Sequence, residues 1–144
     1  MSRFYAIDEA NASLPEVERI LAALRDQREE LIALRDRVVE ATPDDGEPSP
    51  GAAEQIRLLR LGMQGLIDQM QAGVARLVDM DITLRDISTG LIDFPALVTG
   101  RPIWLCWRLG ESEVANWHPH DAGFDARRPL SELPSGRGSG TPAA

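Results

Sequence analysis

Apolar residues recur at alternating spacings of three and four along the first part of the chain. The series begins after Ser13-Leu-Pro-Glu16, a capping-box sequence with proline at an early helical position. This spacing is typical of a helix with one continuous apolar seam. The seam residues are Val17, Ile20, Leu24, Gln27, Leu31, Leu34 and Val38. The pattern predicts a short opening turn capped by Asp8 and then a long helix that starts near residue 14.

A second seam with the same spacing follows a segment that cannot be helical. Prolines and glycines are concentrated in residues 42–51, where they stop the first helix and form a loop. The second seam consists of Ile56, Leu59, Met63, Leu66, Met70, Gly73 and Leu77. Two matching seams joined by one loop predict an antiparallel helical hairpin over about 14–79. We expect Gly62, Gly65 and Gly73 to let the two helices approach closely.

Beyond the second helix the apolar period falls to two, which predicts strands. Residues 82–86 and 91–94 predict one β-hairpin, whose second strand ends at Pro95. Residues 103–108 and 113–118 predict another. The expected architecture is therefore α+β, in which a long antiparallel helical hairpin packs against a small antiparallel sheet of about four strands.

The domain organisation follows from these elements and from the composition of the C-terminal region. The hairpin and a sheet over about 82–118 account for most of a single domain over residues 1–130, and residues 119–130 are predicted to form a closing loop. Residues 131–144 are rich in proline, serine and glycine and contain few apolar side chains. They are predicted to form a disordered tail.

The second β-hairpin has a register that we predict from its turn. With Gly110 and Glu111 at the tip, an opposite-charge pair and an aromatic pair lie across the strands. The predicted pairs are Arg108 with Glu113, Cys106 with Ala115, and Trp104 with Trp117. The alternate residues then face the helices, and His118 is among them. Because this register places Cys106 and His118 on opposite faces, it favours a buried structural cysteine over a nucleophile.

Composition and charge narrow the classes of function. The chain has 144 residues, a formal net charge of −8 and 15 basic residues, all of them arginine. The negative charge repels nucleic acid and anionic membranes, and neither is predicted as a partner. The absence of lysine excludes Schiff-base catalysis and lysine-dependent phosphate loops. The single cysteine and the lack of an apolar signal or spanning segment predict a cytoplasmic protein without an intrachain disulfide.

Both histidines of the chain lie in one short segment, His118-Pro-His120-Asp121. Two imidazoles and a carboxylate at this spacing can bind a divalent transition metal such as zinc, iron or manganese. The candidate metal ligands are His118, His120, Asp121 and Glu111, and Asp93, Cys106 and Glu113 are available on neighbouring strands. The alternative is that His118 is a hydrogen-bonded packing residue. With two histidines in all, a binuclear zinc hydrolase site is excluded.

The tryptophans are concentrated in the same part of the chain and could form either core or the floor of a ligand pocket. Trp107 is expected in the core. The candidate ligand-binding residues are Trp104, Trp107, Arg108, Glu111, Trp117, His118, Asp121 and Arg127.

Several strings in the chain resemble a small bacterial family that is catalogued as a domain of unknown function. They are Thr89-Gly-Leu-Ile-Asp-Phe-Pro95, Leu105-Cys-Trp-Arg-Leu-Gly-Glu111 and Trp117-His-x-x-Asp-x-Gly-Phe124. The opening Ile7-Asp-Glu-Ala-Asn-Ala-Ser-Leu-Pro15 is similar as well, so the resemblance covers about residues 4–130. It implies no established activity. Because His120 is less characteristic of the pattern, the resemblance directs attention to His118, Asp121 and Glu111.

Two functions fit these features. The first is a non-enzymatic interaction or scaffold module that acts through its helical hairpin, as a homodimer or with a protein partner. Each arm would be roughly 40 Å long, which is more than the remaining residues can cover. The second is a small metal- or ligand-binding protein, with an enzymatic role left open, whose site lies around His118, Asp121 and Glu111.

Overall fold

The computed structural model describes residues 3–134, which form two long paired helices and a five-stranded antiparallel sheet. The helices are α1 (Ile7–Ala41) and α2 (Pro50–Asp79). The strands are β1 (Thr83–Asp86), β2 (Leu91–Val98), β3 (Arg101–Arg108), β4 (Asn116–Pro119) and β5 (Arg128–Pro129), and they lie in this order across the sheet. The predicted α+β fold is confirmed. No helix within residues 3–134 is long and apolar enough to cross a membrane.

Helix α1 runs without a break through Pro15, so the prediction of a short turn followed by a separate helix is wrong. The Glu9 carboxylate accepts a hydrogen bond from the backbone N–H of Ala6 at 2.9 Å and caps the first turn. Ala10 and Val17 lie two turns apart on one buried face, on either side of the proline. Their burial keeps the chain helical although Pro15 cannot donate a backbone hydrogen bond.

The loop between the helices occupies residues 42–49, close to the predicted segment. The Ser49 side chain accepts a hydrogen bond from the N–H of Ala52 at 3.2 Å, and Pro50 occupies the first helical position. Nearer the sheet, the Arg76 guanidinium on α2 donates to the Glu16 carboxylate on α1 at 2.7 Å. The two helices are therefore tied together by side chains as well as by the loop.

Of the three glycines that were expected to allow close approach, two pack closely against α1. A Cβ atom added at Gly73 would lie 3.2 Å from Leu24 Cδ2, and one at Gly62 would lie 3.3 Å from Leu34 Cδ1. A Cβ atom at Gly65 would meet nothing within 4 Å. Close approach is thus confirmed at Gly62 and Gly73, whereas Gly65 faces away from α1.

The main core lies between one face of the sheet and the half of the hairpin that is nearest to the sheet. The buried residues of α1 are Ala10, Leu14, Val17, Leu21 and Leu24, which all belong to its first half. The sheet residues in this core are Ile92, Phe94, Ala96, Val98, Ile103, Leu105, Trp107 and Trp117. Tyr5 connects the start of the chain to β2 and to the end of α2. Its backbone N–H donates to Pro95 O at 2.7 Å, and its hydroxyl donates to Met80 O at 2.6 Å. The far half of the hairpin extends beyond the sheet.

Strand β2 continues past Pro95, which the sequence predicted as its end. Pro95 is paired with Trp104 on β3, while β1 pairs with β2 only as far as Asp93. The proline nitrogen and carbonyl point to the side where β1 has ended, and the carbonyl there accepts the Tyr5 N–H. Because no strand needs an N–H from this position, proline is compatible with the strand.

The register between β3 and β4 differs by one residue from the predicted register. Trp104 lies opposite His118, Leu105 opposite Trp117, and Cys106 opposite Asn116. The predicted pairs of Arg108 with Glu113, Cys106 with Ala115, and Trp104 with Trp117 are therefore wrong. A shift of one residue moves every side chain of a strand to the opposite face. Trp117 consequently enters the core, and His118 joins Cys106 on the outer face of the sheet, away from the helices.

The cause of this shift is the long connection between the two strands. Residues 109–115 form an irregular loop instead of a two-residue turn. Val114 is buried, and its backbone N–H donates to the Asn11 side chain on α1 at 2.7 Å. The Glu111 carboxylate folds back to accept from the N–H of Arg108 at 2.9 Å. Because of these contacts, residues 113–115 lie in the loop, whereas a tight turn would leave them free to pair with β3.

The predicted closing loop contains additional structure. Residues Phe124–Ala126 form a 3₁₀ turn, and β5 pairs with β4 through Trp117 opposite Arg128. A second 3₁₀ turn spans Leu130–Glu132, and Leu133 packs against the core. Residues 131–144 were predicted to form a disordered tail. Of these, residues 135–144 lie outside the part of the chain that the structure describes.

Candidate functional site

Three side chains that can bind ligands or protons meet on the outer face of the sheet. Asp93 lies on β2, Cys106 on β3 and His118 on β4. Asp93 is directly opposite Cys106 across the strands, and His118 is placed beside them by the observed register. All three are buried, with exposed fractions of 2%, 1% and 1% respectively. We refer to Asp93, Cys106 and His118 as the outer-face cluster.

The carboxylate of Asp93 is held by two neighbours through the same oxygen. Its Oδ2 atom lies 2.9 Å from His118 Nε2 and accepts a hydrogen bond from Arg85 Nε at 2.8 Å. The other oxygen, Oδ1, is buried and has no hydrogen-bond partner. Burial of an acceptor without a partner has a cost in folding free energy.

The His118 ring faces an acceptor on each side. Nδ1 lies 3.0 Å from the carbonyl oxygen of Pro119, and Nε2 lies 2.9 Å from the Asp93 carboxylate. A neutral imidazole carries one N–H and can donate to one of them. If Nδ1 donates to Pro119, Nε2 directs a lone pair at a carboxylate, which requires a proton or a cation between the two atoms.

Cys106 is a protonated thiol in this setting. Burial raises the pKa of the Cys106 thiol to about 12, and the nearby carboxylates of Asp93 and Glu111 act in the same direction. Arg127 contacts the thiol and opposes this increase. Because the thiolate is the reactive form, Cys106 is not an activated nucleophile. Its proximity to His118 therefore does not make a thiol catalytic dyad.

An ion pair borders the cluster on the side of the long loop. Arg127 donates to both carboxylate oxygens of Glu111, with a distance of 2.6 Å to Oε2. Both side chains are mostly buried. The pair connects the 109–115 loop to the segment before β5, so it holds these two irregular segments beside the sheet.

An aromatic group and a cavity lie on the other side of the cluster. The rings of Trp104 and His120 are stacked with centroids 5.0 Å apart, and the Arg85 guanidinium lies 4.9 Å from the Trp104 ring centroid. Trp104 Nε1 also donates to the carbonyl oxygen of His120 at 3.2 Å. The adjacent cavity has a volume of about 340 Å³. It is lined by Arg85, Leu91, Asp93, His120, Asp121, Ala122 and Gly123.

The structure separates the four metal ligands that the sequence predicts. His118 is buried in the outer-face cluster, whereas His120 stacks on Trp104 and Asp121 is exposed at the cavity. Glu111 is occupied by Arg127. Within residues 3–134, the side chains close enough to share a metal ion are those of Asp93, Cys106 and His118, whose ligand atoms all lie within 4.8 Å of one another.

The predicted ligand-binding residues are also divided between two sides of the sheet. Trp107 and Trp117 belong to the core, and Arg108 is exposed at the end of β3. The outer face brings together Trp104 and His118, with Asp121 at the cavity. Glu111 and Arg127 form the ion pair described above.

Arg85 is the one participant that sequence reasoning missed, and Asp93 was considered only as an additional ligand. A signal for Asp93 does exist, because it is an acidic residue between Ile92 and Phe94 in an otherwise apolar strand. A charge at such a position requires partners. Arg85 carries no comparable signal, since arginine at the edge of a sheet is ordinary.

Comparison with known proteins identifies a family without assigning an activity. No curated protein and no solved structure matches the chain. The family described as "Uncharacterized conserved protein (DUF2203)" matches residues 3–130. That range includes both helices, all five strands and the outer-face cluster. The protein is therefore a member of the DUF2203 family.

Proposed function

We propose that this protein is a non-enzymatic interaction module that self-associates through its helical hairpin. The observation that carries the proposal is an apolar strip along one side of the hairpin, which runs from the edge of the sheet toward the tip. We define the strip by Leu31, Val38 and Val39 on α1 and Met63, Ile67, Met70, Val74 and Val78 on α2.

The strip is continuous because three surface cavities along it share residues. The central cavity, of about 440 Å³, is lined by Leu31, Ile67, Met70, Gln71, Val74 and Ala75. Ile67 also lines the cavity toward the tip of the hairpin, and Val74 also lines the one toward the sheet. From Met63 to Val78 the helical rise corresponds to roughly 22 Å. Val39 and Val78 are exposed and the other residues of the strip are half-buried, and a contiguous partly exposed apolar surface of this kind marks a candidate protein interface.

Charge at the ends of the strip favours a second copy of this chain as the occupant. Arg60 and Arg35 line the cavity toward the tip, where the Arg35 guanidinium also lies 3.2 Å from Asp36, and Asp81 lines the cavity toward the sheet. Arg3 also lies at the sheet end, where Glu9 lies 3.8 Å from its guanidinium. When two copies pair antiparallel about a two-fold axis, the arginines of each approach the aspartate of the other.

The same arrangement buries the apolar residues of the strip symmetrically. Met70 lies about midway between Arg60 and Asp81 along the chain, so the two-fold axis passes near it. The two hairpins then form a four-helix bundle, in which each hairpin supplies the cover that the other lacks. An isologous contact of this kind is the commonest form of homo-oligomer.

The test is a charge placed in the middle of the strip, with a matched charge on the opposite side of the same helix. Ile67→Glu is expected to convert a dimer into a folded monomer in analytical ultracentrifugation, because a buried carboxylate would have no partner in the bundle. Leu58→Glu is the control, since Leu58 is 54% exposed and points away from the strip. It should leave the dimer intact.

Circular dichroism of both variants checks that the helices are retained. A wild-type chain that sediments as a monomer at every concentration up to the millimolar range contradicts the proposal. So does a dimer that Leu58→Glu dissociates and Ile67→Glu leaves unchanged. Association with a different protein alone would also overturn self-association as the function of the strip.

A further inference from the structure

We propose that Asp93, Cys106 and His118 form a binding site for one divalent transition-metal ion of the zinc class. This inference is independent of the self-association proposed above. One ligand atom from each side chain lies within 4.8 Å of the other two, and the three residues come from three adjacent strands. Since each residue is held by strand pairing, the geometry is preorganised by the sheet.

The unpartnered oxygen of Asp93 is the second, independent observation that points to a ligand. Asp93 is 2% exposed, and its Oδ1 has no hydrogen-bond partner. Arg85 and His118 both approach the other oxygen, Oδ2. A metal ion bound by the carboxylate compensates the charge and satisfies an oxygen that no protein donor reaches.

The His118 ring has the orientation that metal-binding histidines adopt. Nδ1 lies 3.0 Å from the carbonyl oxygen of Pro119, so an N–H there is held by a backbone acceptor. In the tautomer whose proton is on Nδ1, Nε2 directs its lone pair toward the cluster, 2.9 Å from Asp93 Oδ2. A ligating histidine commonly donates its other ring N–H to a carbonyl or carboxylate in this way.

The donor set selects the class of metal. One sulfur, one imidazole nitrogen and one carboxylate oxygen suit zinc and similar borderline ions, and they do not suit calcium or magnesium, which prefer oxygen ligands alone. Three protein ligands also leave one coordination position for water or a small molecule. Of the three ligands, Asp93 also lines the adjacent cavity of about 340 Å³.

The charges around the cluster are compatible with a dication. When the metal–sulfur bond forms, the Cys106 S–H bond breaks and the proton is released to solvent, so the thiolate and the Asp93 carboxylate together carry two negative charges against the two positive charges of the ion. Arg85 is bound to Asp93 Oδ2 and is partly exposed. Arg127 is paired with the Glu111 carboxylate, which balances its charge.

The experiment uses full-length protein without a histidine tag, stripped of metal by a chelator and titrated with Co²⁺. We expect one ion per chain and an absorption band from thiolate-to-cobalt charge transfer. Because Cys106 is the single cysteine of the sequence, any such band reports binding at Cys106. Zn²⁺ added afterwards should displace Co²⁺ and abolish the band.

Variants distinguish this site from the ligand set that the sequence predicts. Cys106→Ser should abolish the band and weaken binding at least tenfold, whereas His120→Ala and Asp121→Asn should retain both band and affinity. The absence of stoichiometric Co²⁺ or Zn²⁺ binding by the wild-type protein overturns the proposal. Binding without a charge-transfer band, or binding lost in His120→Ala and retained in Cys106→Ser, overturns it as well.

Discussion

At the scale of single residues, burial controls the chemistry of Cys106. Its thiol is 1% exposed, and burial together with the Asp93 carboxylate raises the pKa from an ordinary value near 9 to about 12. Protonation at neutral pH explains why the close approach of Cys106 and His118 does not create a nucleophile. The same thiol can still bind a metal, because the ion displaces the proton.

The raised pKa predicts a loss of stability in alkaline solution. Between about pH 9 and pH 12 the unfolded chain has lost the Cys106 proton and the folded chain retains it, so the free energy of unfolding falls as the pH rises. A pKa difference of this size corresponds to up to about 4 kcal/mol. Urea unfolding of metal-free protein at pH 8, 9, 10 and 11 measures the loss.

Cys106→Ala provides the control for this prediction. Burial also raises the pKa of Tyr5, which contributes an alkaline loss in the same direction. Both proteins contain Tyr5, so the difference between their pH profiles isolates the thiol. If the wild type and the variant lose the same free energy of unfolding over this range, the prediction is wrong.

At the scale of elements, the hairpin depends on close contact at particular glycines. Gly73 faces α1, where an added Cβ would lie 3.2 Å from the buried Leu24 side chain. Gly65 has open space around it. The same residue type is therefore a packing requirement at one position of α2 and a source of chain flexibility in the unfolded state at another.

Alanine substitution should separate these two roles. Gly65→Ala is expected to raise the free energy of unfolding by about 1 kcal/mol, because alanine favours a helix interior over glycine by this amount. Gly73→Ala should show no such gain, since Leu24 must move to accommodate the methyl group. Urea unfolding at one protein concentration compares the two. Equal stabilisation by both substitutions would show that the helices are not in contact at Gly73.

At the scale of the whole molecule, the sheet covers too little of the hairpin to bury its apolar side chains. The buried residues of α1 end at Leu24, whereas the helix continues to Ala41. Val39 and Val78 are more than 60% exposed, and both belong to the apolar strip. These exposed side chains are the basis of the self-association proposed above.

The proposed self-association predicts that thermal stability depends on protein concentration. The melting temperature of the wild type should rise as concentration increases, because mass action favours the folded dimer. Differential scanning calorimetry from about 10 μM to 1 mM measures this dependence. Ile67→Glu should melt at a temperature that does not change with concentration, and Leu58→Glu should behave as the wild type does. A wild-type melting temperature independent of concentration would contradict the dimer.

The elements themselves were predictable because their signals are local. The spacing of Val17 and Leu24 on one helix, and of Leu66 and Leu77 on the other, reports one buried face. The alternation in residues 103–108 reports a strand with two faces. Each signal lies within a few turns of helix or one strand, so no knowledge of distant contacts is needed to interpret it.

The site was only partly predictable because it depends on distant contacts. The bond from Val114 to Asn11 and the ion pair of Glu111 with Arg127 determine the path of the 109–115 loop. Neither contact has a signature in the local pattern. The resulting one-residue shift in register moved His118 out of the predicted inner face.

The helical hairpin, the antiparallel strands and the family could be inferred from the amino-acid sequence, because periodicity and motifs are properties of short segments. That Asp93, Cys106 and His118 share one face, while His120 and Asp121 lie at the cavity, follows from contacts between distant parts of the chain. Side chains alternate along a strand, so the face that each one occupies depends on the register. A loop that differs by one residue therefore decides which chemical groups meet.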